Sequence, residues 1–181
     1  MNYWHIQLHP DNKLHVDTIK SILTTKQVIG MGESWEDKNG NSVNDPKWFK
    51  EDMKIGDVVM VRDGSTPIAL VKVIGNAYVE PNTDDNFDWF RLRRPIETLG
   101  IFGKDEKKLL KQTLLNYGKN HIQAPGTLTY CNGSNATNDF IVEWHKLSNH
   151  KRLMENIKLT PDRQTQIKTL WDKFKEDTKE Q

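Results

Sequence analysis

The sequence predicts an α+β protein: a small twisted β-barrel with short flanking helices and a C-terminal helical extension. Three observations lead there. Residues 3–8 (YWHIQL) alternate polar and apolar side chains with the period of a strand. Residues 57–62 (DVVMVR) and 68–74 (IALVKVI) are β-branched runs joined through Asp63-Gly64, a strong hairpin signal. Beyond residue 100 the apolar spacing becomes helical. Leu110, Leu114 and Tyr117 mark one helix, Phe140, Ile141, Trp144 and Leu147 a second, and Ile167, Leu170, Trp171 and Phe174 a third.

The remaining elements follow in order. Trp4 lies on the apolar face of the first strand and is expected in the core. Val16, Ile19, Ile22 and Leu23 recur at helical spacing, so a short helix crosses after that strand. Residues 27–31 are a short apolar run closed by Gly30 and Gly32, and residues 33–45 are a long polar loop. Asp45-Pro46 reads as a helix start, Asp as the cap and Pro at the first position, with Trp48, Phe49 and Met53 on one side. Residues 76–88 form an acidic loop holding Tyr78, Pro81 and Phe87. Residues 89–94 (WFRLRR) alternate again, and Pro95 restricts that strand to an edge or an end. Residues 127–132 hold a further short strand. Thr137 or Asn138 caps the next helix, and Thr160-Pro161-Asp162 opens the last. No linker separates two domains. The expectation is a barrel over residues 1–100 and a helical extension over 101–181 packed on it as one structural unit.

Composition narrows the function. The 181 residues carry a net charge of +1, so no overall field draws in a polyanion. A local excess exists over residues 90–120, where eight cations face three carboxylates; a solvated helix face is the plain alternative. The single cysteine, Cys131, permits neither an intrachain disulfide nor a cysteine zinc site. The start lacks the pattern of a signal peptide, and no apolar run approaches a membrane span, so a cytoplasmic location is expected. Enzyme signals are poor. His5, His9 and His15 do not share a helix face, His145 and His150 are five apart, and no nucleophile elbow or P-loop occurs. Asp84, Asp85 and Asp88 fit a solvated loop better than a metal site. No catalytic residue, cofactor or metal is expected.

The order of features resembles an EVE domain, a member of the PUA-like superfamily. Tyr3-Trp4-His5-Ile6-Gln7-Leu8 is similar to the family's first strand. Val28-Ile29-Gly30-Met31-Gly32 with Trp35 resembles its Gly-rich segment. Phe49 with Met53-Lys54-Ile55-Gly56-Asp57-Val58-Val59, the run 68–75 with Tyr78, and residues 89–94 resemble the stretches that follow. The resemblance covers about residues 1–99 and is nearest to the N-terminal modules of McrB-type restriction proteins. Here Glu33 and Ser34 stand before Trp35, where those modules place the Trp at once. The resemblance implies a DNA-binding module, DNA before RNA, that takes a modified base, methylated by expectation, flipped into an aromatic pocket. It implies a restriction setting, with a motor or nuclease on another polypeptide or in a longer parent protein.

A base pocket needs flat faces and a few polar groups. Stacking is worth about 1–3 kcal/mol per base. Trp35, Trp48 and Tyr78 are the candidate walls. Met31, Gly32, Ser34, Asp63 and Asn76 are candidates beside them, the backbone of 30–34 because glycine permits close approach. The dull readings are core packing for the aromatics and turn roles for Ser34, Asp63 and Asn76. For phosphates the candidates are Arg62, Arg91, Arg93 and Arg94, with Lys72 weaker, against ion pairing with the acidic loop. Two other classes stay open: a protein-interaction adaptor using the C-terminal amphipathic helix, and a nuclease using the acidic residues.

Overall fold

The structure is a computed structural model describing residues 1–8, 16–34, 43–81, 90–120, 127–131, 133, 135–156 and 165–172; of 117–120 and 155–156 it describes only the helical backbone. In chain order the elements are β1 (Tyr3–Gln7), α1 (Val16–Ser21), β2 (Val28–Met31), α2 (Asp45–Lys47), β3 (Val58–Asp63), β4 (Thr66–Val73), β5 (Tyr78–Val79), β6 (Leu92–Ile101), α3 (Lys104–Leu109), α4 (Lys111–Asn120), β7 (Leu128–Cys131) and α5 (Ala136–Asn156). A π-helical turn extends α1 over Ile22–Lys26, and another extends α2 over Trp48–Asp52. Residues 165–172 are helical. The chain divides into two compact units, Met1–Ser148 and Asn149–Gln181.

The strands form one mixed sheet in the order β2-β6-β4-β3-β1-β7, with β5 also on β6. Only β1 and β3 run parallel; the other pairs are antiparallel. One face of the sheet feeds a single cluster that includes Trp4, Ile6, Ile29, Val59, Val71, Ile96 and Leu128. The sheet therefore curls round this core, and two bulges help it turn. Val61 pairs with Ala69 but Arg62 with Pro67, and Leu70 pairs with Gly100 but Val71 with Thr98. The α+β class is as expected, the barrel being a half-barrel with β2 and β7 at its edges.

The predicted hairpin forms, with Gly64 at φ 53° in its turn. The first helix forms because Ile19, Ile22 and Leu23 are buried in the core. Such burial is worth about 1.5–3 kcal/mol per side chain and holds a segment too short to be helical alone. It stops at Gln27, a left-handed residue whose N–H donates to the Ile22 carbonyl.

Four expectations are corrected. Pro95 lies inside a ten-residue central strand. It lies beside the turn that follows β4. Its own carbonyl accepts from Ile74 N–H, and its ring fills the space against Gly75. Asp45 is not the helix cap. Asn44 precedes α2, and Asp45, buried, accepts Leu128 N–H at 2.9 Å, tying α2 to β7. Asn135, not Thr137 or Asn138, caps α5, its Oδ1 accepting from Asn138 N–H. The sheet does not stop near residue 100, because β7 pairs with β1. The opening of the last helix at 160–162 lies outside the described residues.

The other face of the sheet is covered by the first part of α5. Phe102 makes edge contacts with Phe140 and Trp144, and Tyr3 hydrogen-bonds His145. Beneath this layer His5 Nδ1 accepts from Arg62 Nε at 2.9 Å. Burial, with the Arg62 charge beside it, pushes the His5 imidazole down to about 3. Burial also raises the Cys131 thiol to about 12, which leaves it unreactive at neutral pH.

Two outcomes are expected. At Gly30 an added Cβ would lie 2.2 Å from Phe90 Cδ2 and 2.7 Å from the Leu92 carbonyl oxygen. Gly30→Ala should therefore cost about 1–3 kcal/mol in urea melts; a neutral result would mean β2 can move off β6. For His5, an unfolded imidazole titrates near about 6.5. Between there and about 3 the unfolded chain binds a proton that the folded chain refuses. Stability should thus fall by about 1.4 kcal/mol for each unit the pH drops in that window. His145, also lowered by burial, adds in the same direction. His5→Asn, which keeps an acceptor for Arg62, should reduce the slope of unfolding free energy against pH by close to one proton.

Candidate nucleic-acid interface

The candidate site is the end of the sheet where β2 ends, β6 begins and β5 lies alongside. Register places Gly30 and Tyr78 on either side of Arg93, and Met31 and Val79 on either side of Leu92. Gly32, Glu33 and Ser34 follow β2 at this edge, with Ser34 exposed. Glu80 and Arg91 meet here as well, Glu80 N–H donating to the Arg91 carbonyl at 2.7 Å.

Arg94 joins this edge to the helix carrying Trp48. Arg94 is 2% exposed, and four of its N–H groups meet four carbonyls. Nε donates to Phe49 O at 2.7 Å, Nη1 to Gly75 O at 3.0 Å, and Nη2 to Lys50 O at 3.0 Å and Met53 O at 2.8 Å. Phe49, Lys50 and Met53 belong to the end of a π turn, whose carbonyls lack partners inside the helix. Gly75 lies in the turn before Asn76 and Tyr78. One cation thus holds both aromatic-bearing segments to β6. Burial lowers the guanidinium pKa, and the nearby Asp57 carboxylate opposes that shift. Asp57 is itself a buried hub, accepting from Asn2 N–H, Trp4 Nε1 and Lys54 N–H.

The wall candidates fare differently. Trp48 is 38% exposed while its neighbour Phe49 is fully buried, so the pair divides between surface and core. Tyr78 is 39% exposed on β5. Asn76 is exposed in the turn before it, and Gly32 is half-buried. Trp35 and Trp89 lie outside the described residues; Phe90 faces the core. The acidic trio Asp84, Asp85 and Asp88 also lies outside them. Among the described residues no group of His, Cys, Asp or Glu is placed to hold a metal, and no helix is long and apolar enough to cross a membrane.

Several candidates are buried or lie apart from this edge. Met31 is 1% exposed, a core residue, because β2 is buried along its whole length. The bareness of Gly30 serves Phe90 packing rather than a ligand. Asp63 and Arg62 sit by the β3–β4 hairpin, next to the Ile101 end of β6 and away from its Leu92 end. Arg62 is buried and donates to His5, Gln7 and the Gly64 carbonyl. Arg93 is buried, donating to the Phe90 carbonyl and pairing with Glu80 at 3.5 Å. Arg94 is committed to carbonyls as above. Of the four arginines proposed for phosphates, only Arg91 stays partly exposed, 3.5 Å from Glu33. Alternation along 89–94 divides the arginines between two faces; it could not reveal that Arg93 and Arg94 donate to backbone carbonyls of other segments. The sign of that role was the polar content of a helix as short as 45–52, whose carbonyls had to find donors.

No protein family's sequence profile matches the chain, and no curated protein sequence matches it. Solved structures resemble it distantly. A hypothetical protein from Leishmania major is 14% identical with a TM-score of 0.43, covering 82% of this chain and 97% of its own. Human THYN1, solved in complex with DNA containing 5-methylcytosine, is 14% identical with a TM-score of 0.39, covering 81% and 98%. A protein from Agrobacterium tumefaciens is 16% identical with a TM-score of 0.37, covering 82% and 93%. Likenesses this distant carry no function from one chain to another.

Removing the guanidinium should loosen the whole edge. Arg94→Met strands four carbonyls, and the expected loss is about 3–5 kcal/mol by urea unfolding. Arg94→Lys should recover only part of it, since an ammonium cannot fork between two segments. Loss below about 0.5 kcal/mol in both variants would mean that the segments hold each other without the cation.

Proposed function

We propose that the chain is a PUA-like, EVE-type nucleic-acid-binding module that receives a modified base, in DNA before RNA, flipped out of its strand. One observation carries the reading. Trp48 and Tyr78 keep more than a third of their surface in solvent, whereas Trp4, Phe49, Phe90, Phe140 and Trp144 are buried, and Arg94 fastens the segments of both to β6. The family resemblance of residues 1–99 supports the same reading.

The energetics say what such a site must do. Extruding a base costs a few kcal/mol, and one stacked ring returns about 1–3 kcal/mol. A single aromatic face is therefore insufficient, and hydrogen bonds to the base edge must add to it. Asn76, Ser34 and the backbone at Gly32 are the groups available at this edge. Arg91 is the arginine left for a phosphate, in exchange for Glu33. A methyl mark adds about 0.8 kcal/mol of apolar burial, which corresponds to roughly a fourfold preference. The role proposed is recognition without turnover. In a restriction setting, cutting would fall to a partner motor or nuclease.

Fluorescence anisotropy with oligonucleotides bearing 5-methylcytosine, N6-methyladenine or no mark tests this. One marked strand should bind severalfold more tightly than its unmarked control and remain uncut. Trp48→Ala and Tyr78→Ala should each abolish the preference. Equal affinity for every marked and unmarked strand would overturn the reading.

A further inference from the structure

We propose that the lysine face of α3 and the start of α4 is a second nucleic-acid contact, one that grips backbone phosphates and reads no base. Lys104, Lys107, Lys108 and Lys111 recur at the spacing that places residues on one side of a helix, and all four are exposed. The helical path nearly continues across the join, since Leu110 N–H bonds Glu106 O and Leu114 N–H bonds Leu110 O. Leu110 is buried and anchors the join beside this face. Among the described residues no carboxylate pairs with any of the four lysines. Glu106 is turned to the helix start, where its Oε2 accepts Gly103 N–H at 3.0 Å.

Asp105 and Glu106 in the first turn of α3 and Lys107 and Lys108 in its last suit the helix dipole, but the lysines also crowd one another. Three lysines crowd a six-residue helix, where like charges three and four residues apart repel. Lys104 also opens the helix at the positive end of its dipole. Four exposed lysines on one side, none of them ion-paired among the described residues, suit an external polyanion. Arg62, Arg93 and Arg94 are committed internally, so these lysines supply surface positive charge that those three arginines do not. Nucleic acid rests here on the function proposed above. Leu109 and Leu115 are exposed on the same helices, so an anionic membrane is the competing polyanion, and the vesicle measurement below separates the two.

The lysine face follows the Ile101 end of β6, and the candidate base site lies at the Leu92 end. Ten residues at about 3.3 Å each separate them by about 30 Å along the strand, well beyond the Debye length of about 10 Å at 0.1 M salt. The two regions should act independently. Duplex binding by the full chain is to be measured by anisotropy, with and without a modified base, at several salt concentrations. Replacing all four lysines by Gln should weaken unmarked and marked duplexes alike, by tenfold or more. The slope of log K against log salt should shrink by about 0.9 for each phosphate that is no longer neutralised. The marked-to-unmarked ratio should not change. The four-fold Lys→Arg variant should bind as the parent does, separating charge from folding. Unchanged affinity and slope in the Gln variant would overturn the inference. So would lysine-dependent binding to phosphatidylserine vesicles with none to duplex. If no modified base is preferred but the lysine effect persists, the base-reading role fails and this one stands.

Discussion

The arrangement of the candidate site depends on the Arg94 guanidinium and on the carbonyls it satisfies. The segment 45–52 is too short to be a stable helix, and its final carbonyls cannot be paired within it. The turn at Gly75 presents another. A single planar cation with donors spread along its edge meets the carbonyls of Phe49, Lys50, Met53 and Gly75 from its place on β6. Rigidity at the base of the site then leaves Trp48 and Tyr78 free to face solvent without carrying the fold. That division of labour suits recognition, where aromatic surfaces must be held in place before a ligand arrives.

The same logic explains the unequal fates of the cations. Arg62, Arg93 and Arg94 lie where two or more backbone segments converge, and each spans carbonyls or polar side chains from different strands or turns. The lysines at 104, 107, 108 and 111 lie on a surface helix and join nothing. A fork of fixed geometry is useful inside, where partners are stationary. A flexible, hydrated ammonium is at home outside, where water solvates it.

Local patterns were legible in the chain. Alternation over residues 3–8 identified both the first strand and the core position of Trp4. Asp63-Gly64 located the hairpin, and the spacing of Ile19, Ile22 and Leu23 located the first helix. Long-range partners were not legible. Nothing around Asp45 indicated that its carboxylate would leave the helix end for Leu128 N–H, 83 positions away. Pro95 reads as a strand terminator because the rule concerns a lost donor; here it lies beside a turn, and the strand continues. Met31 and Asp63 read as pocket residues because they neighbour turns in sequence, yet one is core and the other lies toward the far end of β6.

The sequence by itself determined the α+β class, the hairpin, the buried face of the first strand and the exclusion of an intrachain disulfide among these residues, since each depends on residue type and short spacing alone. Only the tertiary structure decided which of Trp48 and Phe49 meets solvent, which arginines are internal, and which end of the sheet gathers Tyr78, Asn76 and Arg91. The physical reason is that burial and hydrogen-bond pairing are properties of convergence between distant segments. A side chain's donors and apolar area are set by its type, but their partners are set by the path of the chain.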